Sequence, residues 1–592
     1  MTLAAGRRPA APTRGRFGLL LAVALLSVSV WGAAGCSDTT PEDAPAPGEA
    51  AHADAALHPD DAPTLVVNVV VDQLRPSELE RYDHLFTGGL RRLLDEGFHF
   101  SDATFGHALT GTGPGHTTAT TGVHPNRHGI VVNTWREADE AGEWHSVYAV
   151  RDLEAGIVGH PPAAPDGASP EEGRSPVNIY RGGLPDWLAD VHQDARVVAI
   201  SRKDRAAVAM GGQAGGGNAA SEHDGAHVYW LLPRAGQFVT STYYRDALPD
   251  WVEAFNERLA RELPADSVWE STVPAQARGL TRPDTSAYEN DGVHTYFPHR
   301  YHREVEEDTP EALARWVAET PAPDRWTTDL ALEALTQLEM GREEGRTDYL
   351  AVAWSQPDRV GHRFGPLSRE QLDTLLRLDQ ELGRFMDALD EEVGAGRWVM
   401  SFTADHGVIE IPEHREEHAG APGRRIGPGE EDELVRRAEA AAQAAAADGA
   451  RELEQARAAA DAARQEDWVA NAWAFQDLEE AAEADSMALF FLRSHTEGRA
   501  SGPIGHLGVE ILREYGAYRG RYPQGTGHGT PYLHDRQVPL IFLGAGVPGA
   551  GAHPGPVTVA DLVPTLAALG RISFPDDLDG RDLREYFQEA GR

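Results

Sequence analysis

The chain has 592 residues, of which 41% are hydrophobic and 25% charged, and its formal net charge is −40 at neutral pH. This composition excludes global disorder, and the acidity argues against a stable nucleic-acid partner, because a phosphate backbone requires a basic surface. The single cysteine, Cys36, excludes intramolecular disulfides and also a zinc finger or cysteine nucleophile in the body of the chain.

The N-terminal region has the composition of a targeting segment. Residues 1–16 carry four arginines and no acid, and residues 17–34 are mostly apolar. This pattern predicts a secretory signal peptide over residues 1–35. Cys36 is then predicted to carry a lipid that tethers an exported periplasmic or cell-surface protein to a membrane, with an uncleaved apolar anchor as the alternative. Residues 36–63, rich in Pro, Ala and Asp, are predicted to be a disordered tether.

Five short apolar runs are predicted to be buried parallel strands. Amphipathic helical segments such as residues 368–393 lie between them, so strands and helices alternate along the chain. The alternation predicts an α/β fold with a mostly parallel central sheet and helices on both faces. The five runs are residues 64–72, 195–201, 348–355, 397–405 and 538–544.

Four of these five runs end in a charged residue or are followed by one within three residues, namely Asp72, Lys203, Asp358 and Asp405. In parallel sheets, ligands bind at the carboxyl ends of the strands. A purely structural sheet does not need charged groups there so repeatedly. The sequence therefore predicts a functional site at this edge of the sheet.

One large domain is predicted over residues 64–592, with two insertions. The first lies near residues 206–345, which contain irregular Gly-rich stretches, and the second near residues 413–500. The second includes residues 429–465, an Ala-, Glu- and Arg-rich segment without aromatic residues. That segment is predicted to be a solvent-facing helix.

Several carboxylates and histidines are spaced like metal ligands. Each alone has a plain structural explanation, such as a helix cap, a turn or a surface position among the 25 histidines of the chain. Together, at strand ends and in Gly-rich loops, they supply two sets of three ligands, which matches a two-metal site for phosphoryl transfer. The candidates are Asp72, Asp358, His362, Asp405, His406 and His528.

A hydroxyl nucleophile is predicted at Thr112. The segment Gly113-Pro114-Gly115 suits the start of a helix, and Gly122 suits its end. A hydroxyl just before such a helix faces its free N–H groups, which form a ready anion site. The alternative is that Thr112 is only the N-cap of this helix.

Several of these stretches together resemble the alkaline phosphatase superfamily, and within it the phosphate-irrepressible bacterial alkaline phosphatases. The resemblance runs in family order from about residue 64 to the C-terminal region. Its motifs are VVVDQLR (69–75), TGPGHTTATTGVHPNRHGIVVNTW (112–135), SRKDRAAVAMGG (201–212), GQFVTSTYY (236–244), SQPDRVGHRFGP (355–366), TADHGV (403–408) and GTGHGTPYLHDRQVPLIFLG (525–544).

The resemblance implies a phosphothreonine intermediate on Thr112 and two zinc ions per chain. The first zinc is implied to be held by Asp358, His362 and His528. The second is implied to be held by Asp72, Asp405, His406 and the Thr112 oxygen. The remaining histidines near the motifs are interpreted as structural or surface residues, namely His107, His116, His124, His128, His414 and His418.

The resemblance also implies that Asn133, Lys203 and Arg205 contact phosphate oxygens. Two cations beside two zinc ions complement the dianion of a phosphate monoester, whereas a diester has one charge fewer and an extra substituent. The expected function is therefore hydrolysis of small phosphate monoesters. The alternatives are a nucleotide pyrophosphatase/phosphodiesterase on the same fold, an inactive surface-binding protein and a phosphate-mutase-like enzyme. The sequence leaves the oligomeric state open, and it leaves manganese and cobalt open beside zinc.

Overall fold

The computed structural model describes residues 62–159, 173–213, 226–262, 267–518 and 523–590. These residues belong to one compact unit, Leu57–Arg592. The predicted signal peptide, Cys36 and all but the end of the predicted tether lie outside the described residues. Among the described residues, no helix combines the length and the apolar character that crossing a membrane requires.

The described part of the chain contains 18 strands and 20 α-helices. The strands are β1 (Leu65–Val71), β2 (Phe98–Thr104), β3 (Thr134–Ala138), β4 (Trp144–Tyr148), β5 (Ile157–Val158), β6 (Val197–Ser201), β7 (His227–Leu232), β8 (Gln237–Ser241), β9 (Val268–Trp269), β10 (His299–Arg300), β11 (Asp348–Trp354), β12 (Trp398–Ala404), β13 (Arg424–Arg425), β14 (Val469–Ala474), β15 (Val509–Arg513), β16 (Ala517–Tyr518), β17 (Leu540–Gly544) and β18 (Gly551–Thr558).

The helices are α1 (Pro76–Tyr82), α2 (Gly89–Glu96), α3 (Thr112–Thr121), α4 (Pro125–His128), α5 (Leu184–Val191), α6 (Asp204–Gly211), α7 (Asp250–Arg261), α8 (Tyr301–Glu304), α9 (Pro310–Val317), α10 (Ala322–Gln337), α11 (Gln356–Phe364), α12 (Arg369–Leu389), α13 (Pro412–Ala419), α14 (Pro428–Ala447), α15 (Glu452–Ala463), α16 (Leu478–Ala482), α17 (Ser486–Ser494), α18 (Leu533–Arg536), α19 (Leu562–Leu569) and α20 (Arg584–Ala590).

A ten-stranded sheet forms the centre of the fold, in the order β18-β2-β17-β12-β1-β11-β6-β7-β8-β5. Strands β12, β1, β11, β6 and β7 run parallel. Their residues are buried throughout, because helices cover both faces of the sheet. Helices α3, α5, α6 and α19 pack on one face, and α2, α7, α10 and α12 on the other. The predicted α/β architecture is therefore confirmed.

The structure corrects the predicted direction of one strand. All five predicted apolar runs form strands of the main sheet, but β17 pairs antiparallel with both β12 and β2. An apolar run indicates that both faces of a strand are buried. Parallel and antiparallel strands inside a covered sheet are both buried in this way, so the run does not indicate the strand's direction. Its direction depends on the connection that precedes it.

The two segments that the sequence analysis treats as insertions differ in their relation to the sheet. Within residues 206–345, strands β7 and β8 extend the main sheet. Residues 429–465 form two helices, α14 and α15. The chain turns between them at Gly449, which has a φ of +84°. One face of each helix is buried in a small core of its own with β14, and this core includes Leu434, Ala438 and Ala459. The prediction of one solvent-facing helix therefore holds only for the outer faces.

Candidate active site

Four neighbouring strands deliver charged side chains to one edge of the sheet. Asp72 follows β1, Lys203 follows β6, Asp358 lies in α11 just after β11, and Asp405 follows β12. These strands are adjacent and parallel, in the order β12-β1-β11-β6, so their carboxyl ends meet. All four side chains are buried. The structure thus brings together the charged residues that the sequence analysis placed at strand ends.

Three histidines present the same nitrogen to these carboxylates. His362 Nδ1 lies 2.8 Å from the carbonyl oxygen of Thr526, His528 Nδ1 2.9 Å from that of Thr110, and His406 Nδ1 2.9 Å from that of Gly407. A carbonyl oxygen accepts a hydrogen bond, so each Nδ1 carries the proton and each Nε2 keeps its lone pair in the neutral ring. A backbone carbonyl that fixes the tautomer in this way is the usual support of a metal-binding histidine.

Each of these Nε2 atoms faces a carboxylate oxygen. His362 Nε2 lies 3.1 Å from Asp358 Oδ1, and His528 Nε2 lies 3.7 Å from the same oxygen. His406 Nε2 lies 3.4 Å from Asp405 Oδ2. Two lone pairs that face each other repel, and a cation that both can ligate removes this repulsion. The donor set therefore fits bound metal.

The ligand atoms fall into two groups, each within 4.8 Å. One contains Asp358, His406 and His528, and the other contains Asp72, Asp405 and His406. His406 thus lies between the two groups, and its ring stacks on that of His528 with centroids 3.5 Å apart. His362 contacts Asp358 at the margin of the first group. Asp72 Oδ1 and His406 Nε2 are buried and make no hydrogen bond with any described residue, as expected for atoms that ligate a metal.

Burial and charge set the protonation of this cluster. Burial, and then the charges of Asp358 and Asp405, raise the pKa of Asp72 well above its usual range. Burial also acts on Asp358, but without metal the charge of a protonated His362 and that of Lys203 outweigh it and hold the pKa of that carboxyl well below its ordinary value. Burial lowers the pKa of both His406 and His528, which keeps these rings neutral and able to ligate a metal.

Thr112 lies at the centre of the site as the first residue of α3. The predicted end of the helix is confirmed, since α3 spans Thr112–Thr121 and ends at Gly122 with a φ of +69°, whereas its start is one residue earlier than predicted. Gly111 occupies the N-cap position, so the alternative that Thr112 is only a cap does not hold. The Thr112 hydroxyl oxygen instead accepts hydrogen bonds from Lys203 Nζ at 3.2 Å and from Arg205 Nη2 at 3.1 Å.

Cationic and amide side chains surround the Thr112 hydroxyl. The Lys203 ammonium also contacts Asp72 Oδ2 at 2.5 Å and Asp358 Oδ2 at 2.6 Å. Asn133 Oδ1 accepts a hydrogen bond from the Gly113 N–H at 2.7 Å, which directs the amide nitrogen of Asn133 away from the helix backbone. Asn133, just before β3, and Lys203 and Arg205, at the start of α6, thus converge on the Thr112 hydroxyl and the start of α3.

Close packing holds α3 against the Asp405 segment. A side chain on Gly115 would place its Cβ 2.2 Å from the Asp405 carbonyl oxygen, so only glycine permits this approach. At the next residue, His116, the ring Nδ1 lies 2.9 Å from the Thr112 carbonyl oxygen and 3.3 Å from Asp405 Oδ2. His116 is predicted from the sequence to be a structural or surface residue, and in the structure it contacts a candidate metal ligand as well as the first turn of the helix.

Gln73 is a site residue that the sequence analysis does not single out. Its backbone N–H donates to Asp405 Oδ1 at 3.0 Å, and its side-chain amide donates to Asp358 Oδ1 at 2.9 Å. Gln73 has a φ of +64°, a left-handed conformation that is unusual for a residue other than glycine and often marks a functional site. It lies directly after Asp72, but the sequence gives no sign of its backbone angle or of its two distant acceptors.

A cavity of about 1050 Å³ opens onto the site. Thr112, Asn133 and Arg205 line its base, together with Asp358 and His528. The outer wall contains apolar and charged side chains: Glu304, Val305, Trp316, Arg315, Arg363 and Tyr518. The volume accommodates a small organic ester whose reacting group lies at the base.

Comparisons with known proteins agree with this architecture. The sequence profile of the family described as type I phosphodiesterase / nucleotide pyrophosphatase matches residues 66–480. Alkaline phosphatase PhoV of Synechococcus elongatus is 32% identical over 356 residues, which cover 59% of this chain and 60% of PhoV. Alkaline phosphatase PafA of Elizabethkingia meningoseptica is 28% identical over 546 residues, which cover 88% of this chain and 94% of PafA.

The fold is shared with PafA over nearly the whole of that protein. The crystal structure of wild-type PafA matches with a TM-score of 0.76 at 26% identity, covering 88% of this chain and 99% of the PafA chain. The predicted resemblance is therefore confirmed at the level of family and fold.

Proposed function

The chain is a phosphatase that belongs to the type I phosphodiesterase / nucleotide pyrophosphatase family of the alkaline phosphatase superfamily, and we propose that it hydrolyses phosphate monoesters at a two-zinc site through a phosphothreonine intermediate. The observation that carries this proposal is the convergence of Lys203 and Arg205 on the Thr112 hydroxyl, beside two groups of metal ligands.

Thr112 is the nucleophile in this proposal. Its hydroxyl proton passes to solvent, its oxygen bonds to phosphorus as the bond to the leaving oxygen breaks, and the departing alcohol takes a proton from solvent; water then hydrolyses the phosphothreonine to free phosphate and restores the hydroxyl. Lys203 Nζ and Arg205 Nη2 both donate to this oxygen, so they stabilise it as it loses its proton. When bound, two divalent cations supply Lewis-acid stabilisation of the attacking and leaving oxygens.

Charge balance supports a monoester as the substrate. A monoester presents two negative charges and three non-bridging oxygens, and Asn133, Lys203 and Arg205 can each donate to one of these oxygens. A diester replaces one charged oxygen with an ester group, which gives a cation nothing to neutralise. The diesterase alternative, to which the family description points, predicts the opposite preference and is tested in the Discussion.

Removal of metal is expected to abolish this activity. We predict that chelation lowers kcat for an aryl phosphate monoester by about 100-fold or more, and that zinc restores it, because several kcal/mol of transition-state stabilisation depend on the cations. Titration of the stripped protein with zinc should reach two ions per chain. Full turnover by protein that contains no metal would contradict the proposal, and better restoration by manganese or cobalt would reassign the ion.

We also propose that the enzyme is exported and held at a membrane by a lipid on Cys36, which lies outside the described residues. The support is the composition of residues 1–36 alone. Cys36→Ser is predicted to move the protein from the membrane fraction to the soluble fraction without changing kcat. Unchanged membrane retention of this variant would rule out the lipid anchor and favour an uncleaved apolar segment.

A further inference from the structure

The base of the β3–β4 hairpin carries a second residue toward the proposed phosphate site. Asn133 immediately precedes β3, and Tyr148 is the last residue of β4. The antiparallel register pairs Thr134 with Tyr148, so the two side chains belong to one hairpin base. A backbone hydrogen bond from Ala149 to Asn133, 3.0 Å long, continues this pairing past the end of the strands. Tyr148 lies outside the sequence motifs given above.

Tyr148 connects Arg205 to the half-buried ion pair between Asp204 and Arg174. Arg205 Nη1 donates to the Tyr148 hydroxyl oxygen at 3.4 Å, and the hydroxyl donates its one proton to Asp204 Oδ1 at 2.5 Å. The other oxygen of Asp204 accepts from Arg174 Nε at 2.6 Å. The Tyr148 hydroxyl donates its only proton to the Asp204 carboxylate, so its oxygen is free to accept a hydrogen bond from the Arg205 guanidinium.

This arrangement fixes how the guanidinium of Arg205 faces Thr112. Guanidinium groups are planar, so an acceptor at Nη1 determines where Nη2 points. With Nη1 held by Tyr148, Nη2 lies 3.1 Å from Thr112 Oγ1. The direct distance from Arg205 Nη1 to Asp204 Oδ1 is 4.0 Å, longer than a hydrogen bond, so the phenol bridges the gap between the two charges.

Packing also holds Tyr148 in place. The Arg174 guanidinium lies over the Tyr148 ring, 5.1 Å from its centroid. The Asp204 carboxylate accepts a third hydrogen bond, from the backbone N–H of Arg205 at 2.7 Å. Tyr148 is therefore held at its ring face and at its hydroxyl by groups other than the Arg205 side chain.

We infer that Tyr148 is a positioning residue for Arg205 and that, together with Asp204, it selects for monoesters by keeping the guanidinium on the reacting phosphate. The inference rests on the proposed function, since it gives Arg205 a phosphate to contact. Tyr148 itself does not contact the reacting atoms. It acts by orienting the guanidinium of Arg205.

The test is a double-mutant cycle between Tyr148→Phe and Arg205→Ala in the metal-loaded full chain, with kcat/KM measured for an aryl phosphate monoester and for a matched aryl diester. Tyr148→Phe is expected to lower the monoester value roughly tenfold, the size of effect typical of a lost hydrogen bond to a charged group. In the Arg205→Ala background, the same change should alter it by less than about twofold. The diester value should be unaffected, and Tyr180→Phe, an exposed tyrosine away from the site, serves as the control.

The outcomes separate this inference from the proposed function. If Arg205→Ala impairs monoester cleavage but Tyr148→Phe does not, the positioning role is wrong and the proposed function stands. Equal losses on monoester and diester in Tyr148→Phe would show a structural defect and also overturn the positioning role, as would additive losses in the double variant. If Arg205→Ala itself leaves monoester cleavage unchanged, the proposed function fails and the inference fails with it.

Discussion

Replacing Thr112 with alanine is expected to lower kcat by roughly 10³-fold or more, because the reaction then lacks the oxygen that forms the covalent intermediate. The folded state should be little affected. Thr112 is the first residue of α3, and its hydroxyl caps neither this helix nor the preceding turn. Residual turnover would come from water attacking a phosphate still held by the remaining donors.

Two variants serve as controls for Thr112→Ala. Thr112→Ser retains a hydroxyl at the same place and should keep measurable turnover. Thr120→Ala removes a buried hydroxyl from the same helix, one that donates to the His116 carbonyl oxygen at 2.9 Å, and should leave kcat nearly unchanged. Mass spectrometry of acid-quenched enzyme should find a phosphate on the peptide containing Thr112 in the wild type. A normal rate in Thr112→Ala, or phosphate on another residue, would remove the nucleophile assignment.

The double variant Lys203→Ala/Arg205→Ala is expected to lose roughly 10³-fold in kcat/KM for a monoester and no more than about tenfold for a matched diester. Both side chains donate to the Thr112 oxygen, and both carry a positive charge toward the place where the extra negative charge of a monoester lies. The ratio between the two substrates is the informative quantity, because a general loss of folding lowers both rates.

Arg315→Ala is a matched control for this pair. Arg315 lines the same cavity, but its guanidinium pairs with Glu311 at 2.6 Å on the outer wall. Its removal should change neither substrate by more than a few-fold. Equal losses on monoester and diester in the Lys203/Arg205 variant would show that these cations do not discriminate between the substrates, and the monoesterase proposal would lose its main support.

The sequence predicts the centre of the fold well because the central strands are buried on both faces. Strands β1, β11 and β12 are continuous apolar runs closed by a charged residue, so both the strand and its functional end are visible locally. The predicted strands do not include β2, whose residues alternate between buried and partly exposed. They also do not include β18, an edge strand that contains glycines and prolines. The direction of β17 was missed because it depends on pairing partners far away in the chain.

The site residues likewise include some that the sequence predicts and some that it does not. The residues that carry chemistry, such as Thr112 and Asp358, lie in recognisable motifs, and the structure brings them together at one edge of the sheet. The residues that hold them in place, such as Gln73 and Tyr148, act through hydrogen bonds to partners distant in sequence. No local spacing encodes those contacts, so they emerge only when the hairpin and the strand ends are seen in space.

The most direct test of the account is the ratio of kcat/KM for an aryl phosphate monoester to that for the corresponding aryl diester, measured on zinc-loaded wild-type enzyme. We predict a large preference for the monoester that disappears when Lys203 and Arg205 are both replaced by alanine. A preference for the diester in the wild-type enzyme would contradict the account and assign the chain to the phosphodiesterases of its family.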